Sequence, residues 1–126
     1  MNKSLDDALR AAIGAHASWK IKLKATVASG ISAVTSEDAK CDTCCSFGKW
    51  MHAPEQGRLH TDTQFGEINR LHKAFHQTAG EVIGAIEQRN ESLAVQLLEA
   101  DFMPQSEHLM TELKNWLREV KAQQAA

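Results

Sequence analysis

The 126-residue sequence predicts an all-α protein, an antiparallel four-helix bundle with a short extra helix that carries a cysteine. Three observations lead there. Apolar residues recur at steps of three and four over most of the chain, the period of a helix buried along one face. Caps and breakers fall between those stretches, at Gly30, Pro54, Gly57, Asn90 and Pro104. No run alternates apolar and polar residues with the period of two that a half-buried strand requires.

The first helix should begin at Ser4, where Ser4 and Asp7 resemble a capping box and Asp6 and Asp7 place negative charge against the helix dipole. Its stripe is Leu5, Leu9, Ala12, His16, Trp19, Leu23 and Val27, and Gly30 ends it. The polar segment from Ser29 to Lys40 reads as a connecting loop. A short helical piece then carries Cys45, Phe47, Trp50 and Met51 and closes near Pro54 and Gly57. The next long helix spans about Asp62 to Arg89, with Phe65, Ile68, His72, Phe75, His76, Ala79, Ile83 and Ile86 on its core face. Gly80 and Gly84 weaken it slightly, yet small residues four apart let a neighbouring helix come close. Asn90 followed by Glu91 caps a last helix whose apolar positions are Leu93, Leu97, Leu98, Leu109, Leu113, Trp116, Leu117 and Val120. Pro104 should kink or split it.

Composition excludes several functions. With 43% hydrophobic residues the chain is large enough to bury one core without disulfide staples, and it shows neither repeats nor a second composition regime, so a single domain over residues 1–126 is expected. Fourteen basic residues against sixteen acidic ones give a net charge of −2 with no basic cluster, which disfavours nucleic acid. No apolar run approaches the roughly 18 residues of a membrane span, and Met1 to Arg10 is polar rather than signal-like. Three cysteines crowded into Cys41-Asp42-Thr43-Cys44-Cys45 do not suit a secreted disulfide framework, so a reducing, cytoplasmic setting is expected.

The chemistry concentrates in four residues. His72 and His76 are an i, i+4 pair, which puts both imidazoles on one helix face within reach of one ion. His16 occupies the apolar stripe of the first helix in the same way. Burying three unpartnered imidazoles would cost several kcal/mol, a cost that a shared metal ion removes. In a bundle the first and third helices can face each other while the short piece folds over them and brings Cys45 as a thiolate, a donor set that suits zinc.

These residues also carry a family resemblance. Cys45-Ser46-Phe47-Gly48-Lys49-Trp50 resembles the cysteine signature of chemoreceptor zinc-binding domains, His16-Ala17-Ser18-Trp19-Lys20 resembles that family's first-helix His-x-x-Trp-Lys element, and Leu71-His72-Lys73-Ala74-Phe75-His76 resembles its His-x-x-x-His element. The three occur in order, and the likeness covers roughly residues 5 to 120. It implies a Zn²⁺ site formed by His16, Cys45, His72 and His76, shaped and covered by Trp19, Phe47, Gly48 and Trp50. It also implies a bacterial sensory domain, not an enzyme, commonly a homodimer that is fused to or docked on a chemoreceptor or diguanylate cyclase output. Such domains are proposed to sense zinc availability or oxidants such as hypochlorous acid through the zinc-bound thiolate, in chemotaxis and related signalling.

Cys41 and Cys44 depart from that signature, which needs one cysteine. As a Cys-x-x-Cys pair they are either plain loop thiols, competitors for zinc, or a source of a thiol that traps oxidised Cys45, with Cys41 better placed than the adjacent Cys44. His52, His60 and His108 lie in polar stretches or near helix ends and are expected to be exposed rather than ligands. A hydrolytic zinc site would need an open coordination position and a nearby base, and the chain has no His-Glu-x-x-His element. A di-iron bundle would need inward Glu-x-x-His elements, which Glu67 and Glu81 do not form. A haem bundle and a purely structural dimerisation bundle remain as alternatives. The first predicts colour, the second folding without zinc.

Overall fold

The computed structural model describes residues 5–53, 56–57 and 62–125. The expected cap at Ser4, the breaker Pro54 and His60 lie outside them. Among the described residues the chain is helical, with no strand: α1 (Leu5–Ser29), α2 (Ser36–Lys40), α3 (Ser46–Met51), α4 (Thr63–Glu87), α5 (Glu91–Gln96), a π-helical turn over Leu97–Phe102, and α6 (Met103–Ala125).

Each boundary has a local cause. Gly30 ends α1 at φ +74°, and its N–H donates to the Thr26 carbonyl at 2.8 Å. The Asp62 carboxylate caps α4 by accepting from the N–H groups of Gln64 (2.8 Å) and Phe65 (3.2 Å). Asn90 caps α5 through the N–H of Leu93 at 3.2 Å. Between those helices Arg89 takes the left-handed conformation at φ 59°, which lets the Asn90 N–H reach back to the Ala85 carbonyl at 2.8 Å. The segment expected as a loop contains α2, a five-residue helix capped by the Thr35 side chain and carrying Glu37 and Asp38 in its first turn. It is too short for apolar periodicity to register, and its start signal is the cap alone. Pro104 neither breaks nor sharply ends the last helix. The ring of a helical proline collides with the carbonyl four residues back, here residue 100, and that carbonyl lies in the widened π turn.

The bundle is built from α1, α4 and the continuous α5–π–α6 rod, with α2 laid on α4 and α3 across the opening between α1 and α4. Directions within it are mixed. Phe65 packs edge-on against Trp116 and Phe75 against Phe102, so α4 and α6 run antiparallel. By contrast His16 faces His72 and His76 while Val27 and Ile86 line one crevice, so α1 and α4 run parallel. A parallel pair needs a long crossover, and the connection holding α2 and α3 provides it. Leu9, Leu23, Ile68, Phe75, Phe102, Leu109 and Leu113 form the solvent-free centre. Leu93, placed on the core face by its spacing to Leu97, is exposed, and Phe102, four residues after Leu98 and seven before Leu109 but not counted in the expected stripe, is fully buried. The core face of this rod follows Ala94, Leu98, Phe102, Leu109 and Leu113, and Leu93, five residues before Leu98, falls off it. Gly80 is where α2 docks: the Ser36 hydroxyl donates to the Gly80 carbonyl at 2.7 Å, and a Cβ on Gly80 would sit 2.8 Å from the Ser36 carbonyl oxygen.

Candidate metal centre

Four side chains from three elements converge midway along the bundle: His16 from α1, Cys45 from the N-cap of α3, and His72 and His76 from successive turns of α4. One donor atom of each lies within 4.8 Å of the others. Tetrahedral zinc with bonds of about 2.0–2.3 Å has donors about 3.3–3.6 Å apart, and Cys45 Sγ already lies 3.3 Å from His72 Nε2. The histidines are 0–2% exposed, so solvent does not satisfy them.

The imidazoles are oriented from behind. His16 Nδ1 donates to the Ala12 carbonyl at 2.7 Å, and His76 Nδ1 donates to the Ala39 carbonyl at 3.0 Å. Each bond fixes the tautomer and leaves Nε2 with a lone pair aimed inward, and both Nε2 atoms are buried with no hydrogen-bond partner among the described residues. A buried, unpartnered ring nitrogen backed by a carbonyl is what a metal-ligating histidine presents. His72 lacks such a carbonyl and instead faces the Cys45 sulfur through Nε2.

Burial also sets the protonation. It pushes His16 down to about 4 and His72 to about 2, with the neighbouring imidazoles adding repulsion, so both rings are neutral near pH 7. Burial lowers His76 as well, opposed by its bond to Ala39 and the charge of Asp42. Burial raises the Cys45 thiol, and Asp42 raises it further, while the N–H groups of Gly48 and Phe47 favour the thiolate. The imidazole lone pairs are therefore available to a metal, and only the sulfur holds a proton that a metal must displace.

The residues expected to enclose the site do so. Phe47 sets its ring 5.9 Å from His16 and 5.2 Å from His72, Trp50 stacks on Phe47, and Trp19 lies 6.0 Å from His76. Gly48 acts by close backbone approach, since a Cβ there would overlap the Asp42 carbonyl. His52 and His108 are exposed and are not among the converging donors. Cys41 is disulfide-bonded to Cys44, so Cys45 is the free cysteine. The anchoring carbonyls of Ala12 and Ala39 and the turn residue Asp42 were not foreseen, because a backbone acceptor leaves no mark on residue type.

A helical bundle that holds three neutral imidazoles and one thiol on a common centre is a metal-binding domain with a zinc-type donor set. The profile of the chemoreceptor zinc-binding domain matches residues 16–83, a span that contains all four donors, and the chain belongs to that family of regulatory sensory domains. Its cofactor is Zn²⁺. Comparison with characterised proteins and with solved structures gave no match. Among the described residues no helix is long and apolar enough to cross a membrane.

Proposed function

We propose that His16, Cys45, His72 and His76 are the four zinc ligands and that residues 1–126 act as one sensory unit whose signal starts at the Cys45 sulfur. The observation that carries this reading is the convergence of four donor atoms, within 4.8 Å, from segments far apart in sequence. When bound, zinc holds Cys45 as a thiolate, the form that oxidants attack. Hypochlorous acid then oxidises that sulfur by two electrons, thiolate plus HOCl giving sulfenic acid and chloride, and the site loses its one anionic donor. Loss of zinc has the same consequence. Cys45 is the N-cap of α3, with Gly48 N–H donating to its sulfur at 3.3 Å, so a change at Cys45 releases the cap that covers the centre.

Four protein donors complete a tetrahedral shell and leave no open position for substrate, which favours a sensor over an enzyme. In this reading the domain works in the bacterial cytoplasm as a homodimer and passes its state to a chemoreceptor or diguanylate cyclase output, fused or docked. Elemental analysis of protein purified without added metal, wild type beside Cys45→Ala, tests the assignment together with competition against a calibrated chelator. One zinc per chain, weakened at least about a hundredfold in the variant, is expected. Unchanged affinity in Cys45→Ala would sink it.

A further inference from the structure

The Cys41–Cys44 disulfide lies outside the donor set, yet it occupies the one stretch of chain that joins two parts of the centre. Upstream, Cys41 is the C-cap of α2, and two residues earlier the Ala39 carbonyl accepts from His76. Downstream, Cys45 follows Cys44 directly and faces His72. The ring between the two sulfurs contains Asp42, whose carbonyl lies 3.6 Å from Cys45 Sγ and fills the space that Gly48 leaves by lacking a side chain. Closing the ring therefore fixes the backbone that seats the sulfur donor.

A structural staple is a poor account of this bond. The stabilisation a disulfide gives by restricting the unfolded chain grows with loop length, and a four-residue ring is among the shortest. One long backbone bond, from the Cys44 N–H to the Cys41 carbonyl at 3.3 Å, also spans the turn, so the turn loosens rather than unfolds when the two sulfurs part. Cys44 is exposed and Cys41 half-buried, so the pair is open to exchange, while the Cys45 sulfur is turned toward His72.

We propose that Cys41 and Cys44 are a reversible dithiol–disulfide centre, separate from the Cys45 donor, that exchanges with small disulfides of the glutathione class and sets how firmly the Cys45 donor is held. The Cys44 sulfur attacks one sulfur of the small disulfide, forming a mixed disulfide and releasing one small thiol, which takes up the Cys44 proton through solvent. The Cys41 sulfur then attacks the Cys44 sulfur, breaking the mixed disulfide and closing the ring, and the second small thiol leaves with the Cys41 proton taken up through solvent. Two protein thiols are oxidised, one small disulfide is reduced to two thiols, and Cys45 takes no part. In the oxidised form the donor is preorganised and zinc leaves slowly; in the reduced form the turn relaxes and zinc exchanges faster. The effect on zinc rests on the ligand assignment above, whereas formation of the bond does not.

The test equilibrates zinc-loaded protein in anaerobic mixtures of reduced and oxidised glutathione, quenches by alkylation, and maps the bridged cysteines by peptide mass spectrometry. Expected is a Cys41–Cys44 bond whose occupancy follows the glutathione ratio while Cys45 alkylates once zinc is removed. A bridge to Cys45, or a pair that stays reduced in fully oxidised glutathione, overturns the proposal. Zinc transfer to a chromogenic chelator is expected to be about tenfold slower from the disulfide form than from the dithiol form. A Cys41→Ser/Cys44→Ser protein should lose that dependence, and equal rates in wild type would overturn the coupling. The same mapping in Cys45→Ala separates the two readings: the bond forming there supports an independent centre whatever holds the zinc, and its absence overturns it.

Discussion

Mild acid should destabilise the metal-free protein above the range where exposed carboxylates titrate, because its core holds neutral imidazoles. His16 is lowered from 6.5 to about 4 and His72 to about 2, mainly by burial. A group whose folded value lies below its unfolded one contributes its full stability above 6.5 and loses it as pH falls toward the folded value, since the unfolded chain takes up the proton first. Between 6.5 and pH 5 the window is about 1.5 units at about 1.4 kcal/mol per unit, so each ring costs about 2 kcal/mol and the two together about 4. A domain of this size has about 5–15 kcal/mol in all, so the loss is a large share of it. Urea unfolding followed by far-ultraviolet circular dichroism, with chelator present, at pH 7.5 and pH 5.0, measures it. His16→Phe, which keeps an aromatic ring in the same pocket, should remove about half of the difference. A difference below about 1 kcal/mol would refute the argument that the imidazoles are held neutral by burial.

Further outcomes follow from the same geometry. Because the imidazoles are already neutral and only the raised Cys45 thiol carries a proton, zinc uptake at pH 7 should release one proton, read as the buffer dependence of the calorimetric enthalpy. Gly48→Ala forces the Asp42 carbonyl away and should cost about 1–3 kcal/mol in urea unfolding while weakening zinc, because that carbonyl lies against Cys45. Phe75 touches His16, His76 and Phe102 and is solvent-free, so Phe75→Ala should cost about 3–5 kcal/mol by the same assay. Arg89→Gly relieves a left-handed backbone at the α4–α5 turn and should raise stability by about 0.5–1 kcal/mol in the same urea titration, with zinc binding unchanged.

The sequence by itself determined the all-α class and the two long apolar stripes, and it marked the four candidate donors, because side-chain type at a helical period and a short cysteine motif carry that information. His16, His72 and His76 stand where Leu or Ile would serve the core, and Cys45 sits in the Phe47-Gly48 signature beside them. Cap residues marked helix starts down to Asp62 and Asn90. The tertiary structure alone decided that α1 and α4 run parallel, that Thr35 opens a real helix, and that the last rod widens into a π turn at Leu97–Phe102. It alone paired Cys41 with Cys44 and set the carbonyls of Ala12 and Ala39 behind two imidazoles. The division has one physical reason: periodicity and capping act between residues a few positions apart, whereas helix direction, register past a proline and the choice of a backbone acceptor depend on contacts that exist only after distant segments have packed.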